Sequence, residues 1–146
     1  MKKRFRVLSV NISAEKGTVK KPADEARVIA GQGMKDDAHA GDWHRQVSLL
    51  AIEDIDTMRA KLPEISPGDF AENITTEGVD LPSLPVGTVL SIGDVKLEVT
   101  QIGKDCHAGC EILAKTGECV MPKRGIFARV LEGGVISSES AGSYDI

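Results

Sequence analysis

The stretch "TVLSIGDVKLEVTQI", Thr88 to Ile102, decides the fold. Gly93-Asp94 is a two-residue turn signal between two apolar runs, the pattern of a tight β-hairpin. In the second run Val95, Leu97 and Val99 fall on one side of the strand, and Lys96, Glu98 and Thr100 on the other. Outward from the hairpin the same grammar recurs. Phe5 to Ile12 is rich in Val, Ile and Leu and predicts a strand. "ARVIAG" predicts a second short strand ending at Gly31, and "QVSLLAI" a strand apolar enough to be buried on both faces. "AIEDIDTMRAKL" is the one good helix, with Ile52, Ile55, Met58 and Leu62 at helical spacing and Pro63 to end it. "SPGDFAENITTEGVDLPSLPVG" reads as short strands joined by tight turns, "GIFARVL" as a short helix or strand, and "GGVISS" as the start of a last strand. Residues 137–146 read as a flexible tail. The sum is mostly β with a few helices, and a closed or nearly closed barrel is the economical architecture.

Composition narrows the function. The 146 residues suit one domain, with no internal repeat and no linker. The net charge is −4 and only five residues are aromatic. Nucleic-acid binding, which needs a basic footprint and stacking platforms, is therefore not expected. No apolar run approaches the roughly 20 residues needed to span a bilayer, and the N-terminus has no signal-peptide core. The expectation is a soluble cytoplasmic protein whose thiols stay reduced, with no membrane partner.

All three cysteines lie in "GKDCHAGCEILAKTGEC". Cys106, Cys110 and Cys119, with His107, could hold zinc, but the spacing is a single loose knuckle. The plainer reading of Cys110 and Cys119 is that of small buried apolar side chains. Cys106 differs: it ends an apolar strand and enters a loop containing Gly103 and Gly109, where Lys104 would favour the thiolate and Asp105 would oppose it. A thiolate there is a nucleophile, a persulfide carrier or a soft metal ligand. Lys123, Arg124 and Arg129 lie in a run without acids from Met121 to Leu131, a local positive patch suited to a phosphate. "DDAHAGDWHRQVSLL" brings Asp36, Asp37, His39, Asp42, His44 and Arg45 ahead of a buried strand, at a spacing that matches no standard zinc or calcium motif. In "PGDFAENITTEG", Asn73, Thr75 and Thr76 offer neutral donors and acceptors, and Glu72 is an odd inward candidate.

Taken together, "GMKDDAHAGDWHRQVSLL", "PGDFAENITTEGVDLPSLPVGTVLSIGDVKLEVTQIGKDCH" and "MPKRGIFARVLEGGVI" resemble the MOSC domain, named for the C-terminal part of molybdenum cofactor sulfurases. The resemblance runs from about residue 5 to residue 136, in the small stand-alone form. It implies a distorted, closed, mostly β barrel of the MOSC type. It implies the molybdenum cofactor, a pterin dithiolene carrying a phosphate, as ligand. The family's essential cysteine falls on Cys106, which would be the metal ligand or sulfur carrier. His39, Arg45, Asn73 and Thr75 would line the same pocket, with Lys123, Arg124 and Arg129 toward the phosphate. Cys110 and Cys119 belong to an insertion outside the minimal pattern and would matter only for a second metal. Pyridoxal phosphate, often associated with the family, is not expected in this domain alone. Three functions follow from the resemblance and the cysteines. The first is an accessory protein delivering cofactor or sulfur to an apo-molybdoenzyme. The second is a molybdenum-dependent reductase of N-hydroxylated substrates fed by an external electron-donor protein. The third is a non-catalytic domain with a structural zinc.

Overall fold

The computed structural model of the chain describes residues 2–14, 20–60, 63–103, 124–138 and 140–145. In chain order the elements are β1 (Lys2–Ile12), β2 (Lys21–Ala23), β3 (Glu25–Ile29), β4 (Gly33–Met34), β5 (Val47–Ala51), α1 (Ile52–Arg59), β6 (Ile74–Glu77), β7 (Val89–Ile92), β8 (Val95–Ile102), β9 (Ile126–Glu132), β10 (Gly134–Ser137) and β11 (Ala141–Asp145), with a 3-10 turn at Leu81–Ser83.

The hairpin forms as its sequence predicts. Ile92 pairs with Val95 across Gly93, whose φ of 58° only glycine adopts freely. Val95, Leu97 and Val99 are fully buried. β8 then pairs with β9, so "GIFARVL" is a strand and not a helix. Ala128 and Phe127 of β9 pair with Val47 and Ser48 of β5, and β5 runs parallel to β6. Parallel neighbours need a crossover, which here contains α1. This explains the doubly apolar β5. Val47, Leu49 and Ala51 face the barrel core, while Leu50 packs with Ile55, Met58, Ile65, Phe70 and Phe127 in a second cluster under the helix.

Followed round the wall, the order is β1-β11-β7-β8-β9-β5-β6 and back to β1, a closed seven-stranded barrel. Register slips at Val7/Ser9 in β1 and at Lys96/Leu97 and Val99/Gln101 in β8 distort it. The reading of residues 137–146 as a tail is corrected here. Ser137 ends β10, and β11 lies between β1 and β7, where it closes the barrel. "AGSYD" has no β-branched residue, so Tyr144 is its only strand-favouring side chain. Its glycine is required by packing: a Cβ on Gly142 would stand 2.1 Å from the Phe5 ring. β10, β3 and β4 form a small separate sheet whose Val28, Met34 and Ile136 complete the core. Among the described residues no helix is long and apolar enough to cross a membrane.

Candidate functional site

The loop between β4 and β5, Lys35 to Gln46, carries the densest set of ionisable candidates among the described residues. Its ends are drawn together: a Cβ on Gly33 would meet the Gln46 carbonyl oxygen at 2.7 Å, so only glycine fits. Its first turn is built on Asp37, whose carboxylate is buried. Oδ1 accepts from the Ser13 backbone N–H at 3.0 Å and from Lys20 Nζ at 2.8 Å, while Oδ2 accepts from the His39 backbone N–H at 3.0 Å. Burial pushes this carboxyl up. Interactions with His39, Lys20, the Ser13 N–H and Asn73 outweigh it and hold Asp37 well below the usual carboxylate range.

Asp37 thereby fixes His39. The imidazole Nδ1 lies 3.7 Å from Asp37 Oδ2, within ion-pair reach and beyond a hydrogen bond, and it is buried. The Trp43 indole N–H donates to the His39 carbonyl at 2.7 Å, and the two rings lie nearly parallel, 7° apart with centroids at 6.4 Å. Arg45 lies over the same indole at 4.9 Å and over Phe127 at 5.5 Å. Its Nε is buried without a hydrogen-bond partner, and Arg45 forms no ion pair with the described residues.

Trp43 also lines an open cleft of about 580 Å³, with His44, Gln46, Glu98, Thr100 and Arg129 around it. That volume suits a small molecule. His44 is tied to β8: its ring Nε2 meets Gln101 Oε1 at 2.8 Å, and Gln101 Nε2 donates to the Gly103 carbonyl at 2.8 Å. The Gly103 N–H donates to the Gly125 carbonyl at 2.7 Å. Gly103 and Gly125 therefore lie side by side, next to the His44–Gln101 pair.

The sequence-predicted site residues fall into distinct settings. His39 and Arg45 meet at Trp43, and Arg129 lines the cleft. Arg129 is paired with Glu98 at 2.5 Å. Arg124 is paired with Asp54 at 2.9 Å and with Asp80, and the Asp54 hydrogen bond chiefly raises its already high pKa. The acid-free run seen in sequence is thus neutralised, at its described arginines, by carboxylates from α1, from β8 and from the turn at Asp80. Asn73 and Thr75 are fully buried and do not line the cleft. Asn73 Oδ1 accepts from the Ser48 N–H, and its Nδ2 donates to the Asn11 carbonyl, so it clamps β5 and β1 across β6. Thr75 Oγ1 accepts from Asn11 Nδ2 at 3.1 Å and donates to Glu72 Oε2 at 2.8 Å. Burial raises the Glu72 carboxyl to about 7 against the lowering effect of the Gly68 N–H and the Thr75 hydroxyl.

Cys106, Cys110, Cys119 and Lys123 lie outside the described residues. Among the described residues no group of three or more His, Cys, Asp or Glu side chains could hold a metal ion. Sequence reasoning passed over Lys20, Gln101 and Trp43 as site-builders. Lys20 sits in a polar run where nothing marks it as buried. Trp43 could have been found, since it is the only tryptophan and sits between two histidine-bearing motifs.

The chain is thus a closed β-barrel with an open cleft that Trp43 lines and with Arg45 against the same indole. The chain belongs to the MOSC domain family, whose sequence model matches residues 36–141. Three solved structures share the fold. The YuaD protein from Bacillus subtilis is 19% identical, with a TM-score of 0.82 over 99% of this chain and 97% of that one. YiiM from Geobacillus stearothermophilus is 20% identical, TM-score 0.73, over 97% and 75%. YiiM from Escherichia coli is 18% identical, TM-score 0.71, over 99% and 70%. No curated protein sequence matches the chain significantly.

Proposed function

We propose that the chain binds the molybdenum cofactor, with Cys106 as the thiolate that holds the metal or carries sulfur, and delivers cofactor or sulfur to a partner molybdoenzyme. The observation that carries this reading is Arg45. It is the one candidate arginine among the described residues without a carboxylate partner, and its guanidinium carbon lies over two aromatic rings, one of them the cleft-lining Trp43. A buried, unpartnered Nε is costly unless an acceptor arrives. A phosphate supplies such acceptors, and an arginine fork binds it in two-point fashion. Arg129 and Arg124 already have carboxylates and contribute less; Lys123 is a second candidate from sequence. His39 would meet the cofactor beside Trp43, while Asn73 and Thr75 support the loop from behind. When bound, the cofactor supplies a soft metal centre for oxygen-atom or sulfur chemistry.

The test is retention of pterin by variants purified from a cofactor-competent host. Arg45→Ala should lower cofactor affinity about 10- to 100-fold, the range of a lost charge-assisted hydrogen bond. Arg129→Ala should lower it about threefold or less, since Arg129 is exposed and already paired. Equal losses would remove Arg45 as the phosphate anchor. The open cleft at Trp43 also suits a small substrate, which keeps the reductase as a second reading. Consumption of an N-hydroxylated compound by loaded protein supplied with electrons selects the reductase. Activation of an apo-molybdoenzyme without such turnover selects the carrier.

A further inference from the structure

We infer that Asp37 is a positioning residue that places the His39 proton on Nδ1, so that Nε2 meets the ligand as a hydrogen-bond acceptor for an N–H or O–H group. Nδ1 is buried and has no hydrogen-bond partner, and Asp37 Oδ2 stands 3.7 Å from it. A bare nitrogen lone pair facing an ionised carboxylate in a buried setting is repulsive, whereas an N–H there is attracted. Lys20 at 2.8 Å compensates the charge of Asp37, and both side chains are completely buried. What reaches the imidazole is therefore the direction of the carboxylate, which selects the tautomer. The ring has little freedom to escape that choice. The same Oδ2 holds the His39 backbone N–H, the Trp43 indole N–H holds its carbonyl, and the Trp43 ring stacks on it. Nε2 has no hydrogen-bond partner among the described residues. This is the way a buried carboxylate fixes the tautomer of a working histidine elsewhere in proteins.

His44 serves as an internal control with the opposite setting. Gln101 donates its amide N–H to Gly103, so its oxygen faces His44 Nε2 and requires a proton there. Two histidines on one loop are thus held in opposite tautomers.

The acceptor role rests on the cofactor reading; the tautomer does not, and it is read on the chain without cofactor. ¹⁵N-histidine NMR of the apo protein, assigned with His39→Gln and His44→Gln, should show His39 protonated at Nδ1 and His44 protonated at Nε2. In Lys20→Met/Asp37→Ala, which removes both buried charges together, His39 should shift mainly to the Nε2–H form. A wild-type His39 with its neutral proton on Nε2 overturns the inference, as does a folded double variant that keeps Nδ1–H. Should the double variant not fold, the wild-type spectrum alone decides. In protein loaded in a cofactor-competent host, His39→Gln, which keeps an acceptor, should retain pterin within about threefold, while His39→Leu should lose tenfold or more. Equal retention by both removes the acceptor role. Wild-type protein without pterin would refute the cofactor reading and the acceptor role with it, leaving the tautomer to stand or fall on the NMR.

Discussion

Glu72 sits in an environment far from its solution chemistry. Its side chain is fully buried, and burial lifts its carboxyl from 4.5 to about 7. Between those values the folded chain holds a proton that the unfolded chain has released. Stability from this group is therefore complete below about pH 4.5 and falls as pH rises toward 7. The swing is about 3 kcal/mol at the usual free energy per pH unit. Denaturant unfolding at pH 5 and pH 8 should show Glu72→Gln losing most of that difference relative to the parent; an unchanged difference would mean that Glu72 does not titrate in this window. A second residue-scale expectation concerns Gly68. Its φ is 94°, and a Cβ there would stand 2.1 Å from the Lys20 carbonyl oxygen. Gly68→Ala should cost about 2–4 kcal/mol in the same unfolding measurement, as a backbone clash with no flexible neighbour to yield. A loss below about 0.5 kcal/mol would show that the Lys20 segment moves aside. Neither effect was legible beforehand. The sequence marks Glu72 as odd and Gly68 as a turn residue, but their partners, Thr75 and Lys20, are identified only by the closed barrel.

At the scale of elements, legibility followed local pattern. The hairpin was readable because a turn signal and a period of two coincide at Gly93-Asp94. The doubly apolar β5 was readable because both of its faces are buried, one by the barrel and one by α1. β11 was not, because Ala141 to Asp145 owes its strand to β1 and β7 and not to its own side chains. Its seam depends on Phe5 lying over Gly142. Gly142→Ala should destabilise the barrel by about 1–3 kcal/mol through overpacking, and Phe5→Ala by about 3–5 through a cavity. The two changes are complementary in volume, so the double variant should be more stable than the sum of the single losses predicts by about 1 kcal/mol or more. Strict additivity in thermal or denaturant unfolding would show that the two residues do not share this contact.

At the scale of the whole molecule, the barrel brings together residues that sequence reasoning could only nominate separately. His39 and Arg45 could be nominated because they share a loop with the family's motif. Their convergence on Trp43 was not legible, because stacking depends on how a loop folds and leaves no periodicity. The apparent basic patch misled for the same reason: Asp54, Asp80 and Glu98 neutralise Arg124 and Arg129 from far along the chain. The β8–β9 pairing closes with Ile102 opposite Ile126 and with the Gly103–Gly125 hydrogen bond.

The central claim is that Cys106 holds the molybdenum cofactor at this site. The most direct test is molybdenum content by elemental analysis, with pterin fluorescence after oxidation. Both would be measured on protein purified anaerobically from a cofactor-competent host, beside Cys106→Ala. The prediction is molybdenum and pterin in equal amounts in the parent, and both lost from a folded Cys106→Ala. Full molybdenum in Cys106→Ala, or zinc without pterin in the parent, would contradict it.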